Sequence, residues 1–151
     1  MIRPFELQDK SLLLELMTEF YHSPAVLHPV PKAYLVRTCL ELEQNSPYTK
    51  AYMLLQNDQP AGYALLSLTY SSEAGGLVVW LEELYIRESY RGAGLGGEFL
   101  QYMERQFPHA ARFRLEAEAD NAGAMRLYTR NGNDNLPYIQ MIKEKTENQP
   151  F

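Results

Sequence analysis

The chain has 151 residues, enough for one domain with a substantial core. Its 14 Lys and Arg against 19 Asp and Glu leave a formal charge of -5, which disfavours nucleic acid as a partner and mildly suits a cationic acceptor such as an amine. A single cysteine, Cys39, excludes an intramolecular disulfide and a cysteine-rich metal site, and the absence of a membrane-length apolar run or a secretory pattern leaves a soluble cytoplasmic protein without membrane contact as the expectation.

Residues Ile2 to Phe5 read as a short first strand. Asp9 is placed to cap a helix with the apolar stripe Leu13, Leu16, Met17 and Phe20. The stiff connector His28-Pro29-Val30-Pro31 leads to a second helix from Lys32 to about Gln44, with Cys39 facing inward. Strands follow at Ala51 to Gln56 and Gly62 to Tyr70, joined by a tight turn at Asn57-Asp58-Gln59-Pro60. A longer strand spans Leu77 to Ile86. After a glycine-rich turn, Phe99, Leu100, Met103 and Phe107 mark an amphipathic helix that Pro108 ends. Arg112 to Ala119 alternates with period two and predicts a strand with one wet face. Asn121 to Arg130 reads as a short helix closed by Gly132, and a last strand is expected over Tyr138 to Lys143. Hairpins mixed with strand-helix-strand units predict a single-domain α/β fold, a mixed central sheet with helices on both faces. The expected boundaries are a domain over 1–145 and a polar tail over 146–151.

The segment Arg91-Gly92-Ala93-Gly94-Leu95-Gly96-Gly97 admits three phosphate-binding readings. A P-loop is excluded because no Gly-Lys-Ser or Gly-Lys-Thr follows. Gly92, Gly94 and Gly97 satisfy the dinucleotide spacing literally, but the preceding strand ends five residues too early and the motif lies past mid-chain. The third reading is a coenzyme A diphosphate turn. Glycines let successive backbone N–H groups approach an anion, and the next helix adds its unpaired N–H groups and positive dipole end. A purely structural reading, a close helix crossing that needs small residues, explains one or two of these glycines but not all four.

The run from Trp80 through Glu82, Glu83 and Arg91 to Gly96, with the second block Asn121-Ala122-Gly123-Ala124-Met125-Arg126-Leu127-Tyr128 before Asn131-Gly132, resembles the GCN5-related N-acetyltransferase (GNAT) family. It looks especially like the diamine and thialysine acetyltransferase branch. The resemblance covers the chain from the first strand to the last. It implies a splayed strand pair that admits the cofactor acetyl-CoA, and transfer of its acetyl group to an amine. By that resemblance Leu84, Tyr85 and Ile86 offer backbone to the pantetheine arm. Arg91, Gly92, Ala93, Gly94, Leu95, Gly96 and Gly97 cradle the diphosphate, and Asn121 binds pantetheine or caps its helix. Glu82 is the expected base or acceptor-binding acid. Tyr128 is the expected general acid toward the leaving thiolate. Glu83 should face away from Glu82 in a regular strand, unless a bulge intervenes.

The acceptor side should come from the first two helices and their loop, where Phe20, Tyr21, His22 and His28 are available. The histidines lack metal spacing, so no metal is expected. The resemblance implies a small-molecule amine as acceptor, with a peptide or protein amine or a non-catalytic acyl-CoA sensor as alternatives, and a homodimer. The chain departs from the family in one respect: Asn133 follows Gly132 where Phe is usual, and the stretch to Pro137 leaves little room for a regular strand before Tyr138.

Overall fold

Residues 1–145 are described by the computed structural model. Asn57 (φ 50°) and Asp58 (φ 60°) both adopt positive φ, the geometry of a two-residue hairpin loop whose twist matches its flanking strands. That turn joins β2 (Thr49–Gln56) to β3 (Gln59–Ser71), and both strands run longer than the sequence pattern indicated. With β1 (Ile2–Pro4), β4 (Gly76–Ile86) and β5 (Arg112–Leu115), they form a single sheet in the order β1-β2-β3-β4-β5. The first four strands are antiparallel in succession, and β5 runs parallel to β4.

Helices cover both faces, as expected. On one face α1 (Lys10–Tyr21) and α2 (Lys32–Glu43) bury Leu13, Leu16, Met17, Leu35 and Cys39 against Met53, Tyr63 and Leu65. On the other, α3 (Leu95–Gln106) buries Phe99, Leu100 and Met103 against Leu54, Leu66 and Val79. Each such side chain contributes roughly 1.5–3 kcal/mol by leaving water. The short α4 (Ala122–Arg130) joins this second face through Leu127 and Tyr128.

Three expectations are corrected. Asp9 does not cap α1 with its side chain. Its carboxylate accepts two bonds from Arg3 (2.6 and 2.8 Å) and one from the Glu6 N–H (2.9 Å), which ties β1 to the helix. These bonds, led by that from Arg3, hold its pKa below the ordinary carboxylate value. A depressed folded pKa stabilises above the unfolded value, and that contribution disappears as pH falls through the folded pKa. Asp9→Asn should therefore cost about 1–3 kcal/mol at pH 7. The difference from wild type should vanish in denaturant titrations carried well below the usual Asp pKa.

The strand expected over Arg112 to Ala119 stops at Leu115. The ladder runs from Val78↔Arg112 to Leu81↔Leu115, while β4 continues to Ile86. Beyond Leu115 the two strands part, so the alternating residues that follow have no ladder to join. The expected strand over Tyr138 to Lys143 is also absent. Among the described residues, 134–145 make no backbone hydrogen bond. An alternating pattern marks a segment fit for a ladder but does not supply the neighbour. The expected tail over 146–151 lies outside the described residues.

Candidate active site

The parting of β4 from β5 opens a cavity of about 1340 Å³. Leu84, Tyr85 and Ile86 form one wall, on the stretch of β4 beyond its last pair with β5. This side of β4 carries ladder groups that β5 does not meet. The floor is the start of α3, where Leu95, Gly96 and Gly97 present their backbone. Gly92 (φ 79°) and Gly94 (φ 84°) take left-handed conformations that shape the turn into this helix. No side chain caps the N-terminus of α3, so its first N–H groups remain open toward the cavity. Gly96 has a different role. A β-carbon there would lie 2.9 Å from Leu127 Cδ2, so this glycine lets α4 approach α3. The crossing explanation thus accounts for Gly96, but not for Gly92 or Gly94, where a β-carbon would meet nothing within 4 Å.

Arg91 lines the cavity, with its Nε donating to the Ile86 carbonyl at 2.9 Å. Ala93 is exposed and is not part of the lining. Opposite lie Asn121 and Tyr128 from either end of α4. Asn121 caps that helix by accepting from the Ala124 N–H (3.1 Å), and its amide N–H₂ group has no partner among the described residues. Tyr128 packs on the α3 core, and its hydroxyl has no hydrogen-bond partner among the described residues. Burial raises its pKa, so the phenol is protonated at neutral pH.

The sequence pattern of the Acetyltransferase (GNAT) family matches residues 12–132, most of the chain and every residue that lines this cavity. The chain belongs to that family. It is 30% identical over 101 residues to the spermine/spermidine N(1)-acetyltransferase of Bacillus subtilis (strain 168), a match covering 64% of this chain and 66% of that protein. The match therefore spans just under two thirds of the relative's length. Among solved structures, a possible acetyltransferase from Clostridium difficile 630 superposes with TM-score 0.82 at 15% identity, covering 97% of this chain and 98% of that one. An aminoglycoside N-acetyltransferase in complex with CoA superposes with TM-score 0.78 at 13% identity, covering 97% and 95%. At such identities these superpositions speak for the fold.

The cofactor of a GNAT acetyltransferase is acetyl-CoA, and the residues present fit it. The uncapped helix start and the Gly92–Gly94 turn suit a diphosphate, the open β4 edge suits an amide-bearing arm, and the cavity exceeds the about 300–1,000 Å³ usual for small ligands.

The acidic pair departs from the regular-strand expectation. The β3–β4 register shifts so that Leu65 pairs with Glu83 and Leu66 with Leu81, leaving Glu82 in a bulge. Both carboxylates consequently lie on the α1–α2 face. Glu82 is exposed and accepts from Ser67 Oγ (2.5 Å), a residue that alternates with the α3-facing Leu66 and Leu68. Glu83 is only 7% exposed. It accepts from the Tyr21 hydroxyl of α1 and from the buried Tyr63 hydroxyl (2.6 Å). Burial raises the Glu83 pKa, and the two phenols oppose that shift. Neither carboxylate is part of the cavity lining; Phe20 is, and Tyr21 stands behind it with ring centroids 5.0 Å apart. His22 bonds the Thr18 carbonyl and His28 is exposed in the connector; neither lines the cavity.

Sequence reasoning missed several contributors. Tyr63 holds Glu83 from 20 positions away, and Arg87 binds Glu19 (2.7 Å) across 68 positions, with Tyr85 donating to the same carboxylate (3.0 Å). This ion pair fixes the end of β4 against α1, and no local pattern announces it. Ser23, Pro24 and Ala25 also line the cavity where α1 ends.

Proposed function

We propose that this protein transfers the acetyl group of acetyl-CoA to a primary amine, and that the amine is a small molecule. The observation that carries the reading is one cavity in which the open β4 edge, the uncapped start of α3 and the unpartnered Tyr128 hydroxyl meet. When bound, acetyl-CoA supplies an activated acetyl thioester. The backbone of Leu84, Tyr85 and Ile86 holds the arm and polarises the thioester carbonyl. Arg91, the turn glycines and the N–H groups of Leu95, Gly96 and Gly97 hold the diphosphate. Asn121 directs its free N–H₂ toward the arm. Tyr128 gives its proton to the departing sulfur.

An amine attacks only when neutral. For a lysine-like group with pKa about 10.4, roughly one in 10³ is neutral at pH 7, a cost of about 4–5 kcal/mol. Glu82 is the accessible carboxylate of the pair, positioned at a bulge on the acceptor face, and it accepts the ammonium proton directly or through water. Glu83, held by Tyr21 and Tyr63, fixes α1 to β4 and adds negative field on the same face. Phe20 and Tyr85 offer aromatic surface to an alkyl ammonium. The likeness to the Bacillus spermine/spermidine N(1)-acetyltransferase supports a polyamine as the first acceptor to test.

The test is free-thiol release from acetyl-CoA with polyamines, amino acids, aminoglycosides and peptides as acceptors. Polyamine-dependent release is expected, and Glu82→Gln should lower kcat/KM at pH 7 by about 10²-fold while acetyl-CoA still binds. Release with peptides alone would replace the small-molecule reading. Binding without release from any acceptor would replace the enzyme reading with a sensor.

A further inference from the structure

Two aromatic rings, Phe20 and Tyr85, line the cavity beside the end of α1, with centroids 6.1 Å apart. The ring of Tyr63 stands 6.3 Å from that of Tyr85. A tyrosine at a cavity wall ordinarily offers its hydroxyl to whatever binds there. Here the hydroxyl is committed elsewhere. It donates to Glu19 at 3.0 Å, and Glu19 is not part of the cavity lining. The cavity therefore meets the ring of Tyr85, while the polar end of the side chain is drawn away.

Glu19 is itself held in place. Arg87 donates to its carboxylate through Nε (3.0 Å) and Nη2 (2.7 Å). Glu15, one turn earlier on α1, takes the same guanidinium, and the Pro60 carbonyl accepts from Nη1 at 3.4 Å. Neither Arg87 nor Glu15 lines the cavity. The hydrogen bonds from Arg87, aided by that from Tyr85, hold the Glu19 pKa below the ordinary carboxylate value against the opposing effect of burial. An ionised carboxylate can only accept, so the Tyr85 proton has a fixed destination. Without that acceptor, the phenol would be an unpaired polar group beside Phe20 and Tyr63. The cost of leaving it so favours turning the hydroxyl into the cavity.

Resting on the reading of a small-amine acceptor, we propose that Glu19 is a positioning residue that sets acceptor specificity through Tyr85. By drawing the Tyr85 hydroxyl out of the cavity, it leaves a wall of hydrocarbon and π surface. That wall suits the alkyl chain and ammonium of a polyamine, and it gives no hydrogen bond to a hydroxylated acceptor.

The experiment compares kcat/KM for diaminopropane and its hydroxylated analogue diaminopropanol, which differ by one oxygen. The effect of that oxygen on amine basicity is the same for every variant and cancels in their comparison. Wild type is expected to prefer the unhydroxylated amine, and Glu19→Leu to lower that preference about tenfold, mainly through the KM of the amine. Glu19→Gln keeps an acceptor oxygen for the phenol and should hold the preference within threefold of wild type. In a Tyr85→Phe background there is no hydroxyl to turn inward, so adding Glu19→Leu should change the preference by less than threefold. Melting temperature and acetyl-CoA calorimetry check that each variant is folded, and Glu19→Ala replaces the leucine variant if that one is not. An unchanged preference in Glu19→Leu would overturn the proposal. An equal loss in the Tyr85→Phe background would also overturn it, because Glu19 would then act through the fold and not through the hydroxyl. Turnover of both amines by wild type without preference would sink this proposal alone. No turnover of any small amine by protein that binds acetyl-CoA would sink the small-amine reading and this proposal with it.

Discussion

Tyr128→Phe is expected to lower kcat by about 10²-fold while leaving acetyl-CoA affinity within about twofold of wild type. The substitution removes one oxygen and keeps the ring that packs against the α3 core. The phenol lines the cavity and has no hydrogen-bond partner among the described residues. Its burial raises the pKa, so the proton is present at neutral pH and available to a leaving thiolate. Losing only this group should slow the chemical step without disturbing the diphosphate end of the site. The readouts are steady-state kinetics with the best acceptor and calorimetry with acetyl-CoA. A loss below threefold would show that the departing sulfur needs no proton from this residue, and an equal loss in affinity would make Tyr128 a packing residue.

Gly62→Ala is expected to be the most disruptive single-methyl change in the sheet. A β-carbon at this position would lie 2.0 Å from the Tyr85 carbonyl oxygen and 3.0 Å from the Ile86 α-carbon. Both are backbone atoms, so no side-chain rotation relieves the clash, and β3 and β4 must separate. Overpacking of this kind costs about 1–3 kcal/mol or more, equivalent to a fall in Tm of roughly 2–12 °C for a chain of this size. The damage falls on the part of β4 that lines the cavity, so acetyl-CoA affinity should drop as well. Thermal melting with and without acetyl-CoA separates the two effects. An unchanged Tm would mean that the strands part easily here, and that Gly62 does not set the position of the cavity wall.

Much of this architecture was legible in the chain. Leu13, Leu16, Met17 and Phe20 announced the inner face of α1, and Phe99, Leu100 and Met103 that of α3, because helical periodicity is a local signal. The turn at Gly92 and Gly94 was legible for a similar reason: only glycine accepts those φ values freely. What failed was decided between strands. The bulge at Glu82 arises from a register shift against β3, and it puts two adjacent carboxylates on one face where strict alternation would divide them. The special status of Gly62 depends on the Tyr85 carbonyl, 23 positions away in the chain. Arg112 to Ala119 alternates throughout, yet only the part facing β4 becomes a strand, because the splay that opens the cavity ends the ladder at Leu115. The turn and helix start proposed to hold the cofactor were thus readable from glycines and helix periodicity. The proposed acceptor side depended on Tyr63, Glu19 and Arg87, whose relation to Glu83 and Tyr85 exists only once the sheet has formed.

The most direct test of the central claim is titration calorimetry of the folded protein with acetyl-CoA, repeated with Gly94→Val. Valine at this left-handed position strains the turn and displaces the helix start that should receive the diphosphate. Wild type is expected to bind at one site per chain with micromolar affinity, and the variant to lose at least tenfold. No binding by well-folded wild type, or equal binding by both proteins, would contradict it.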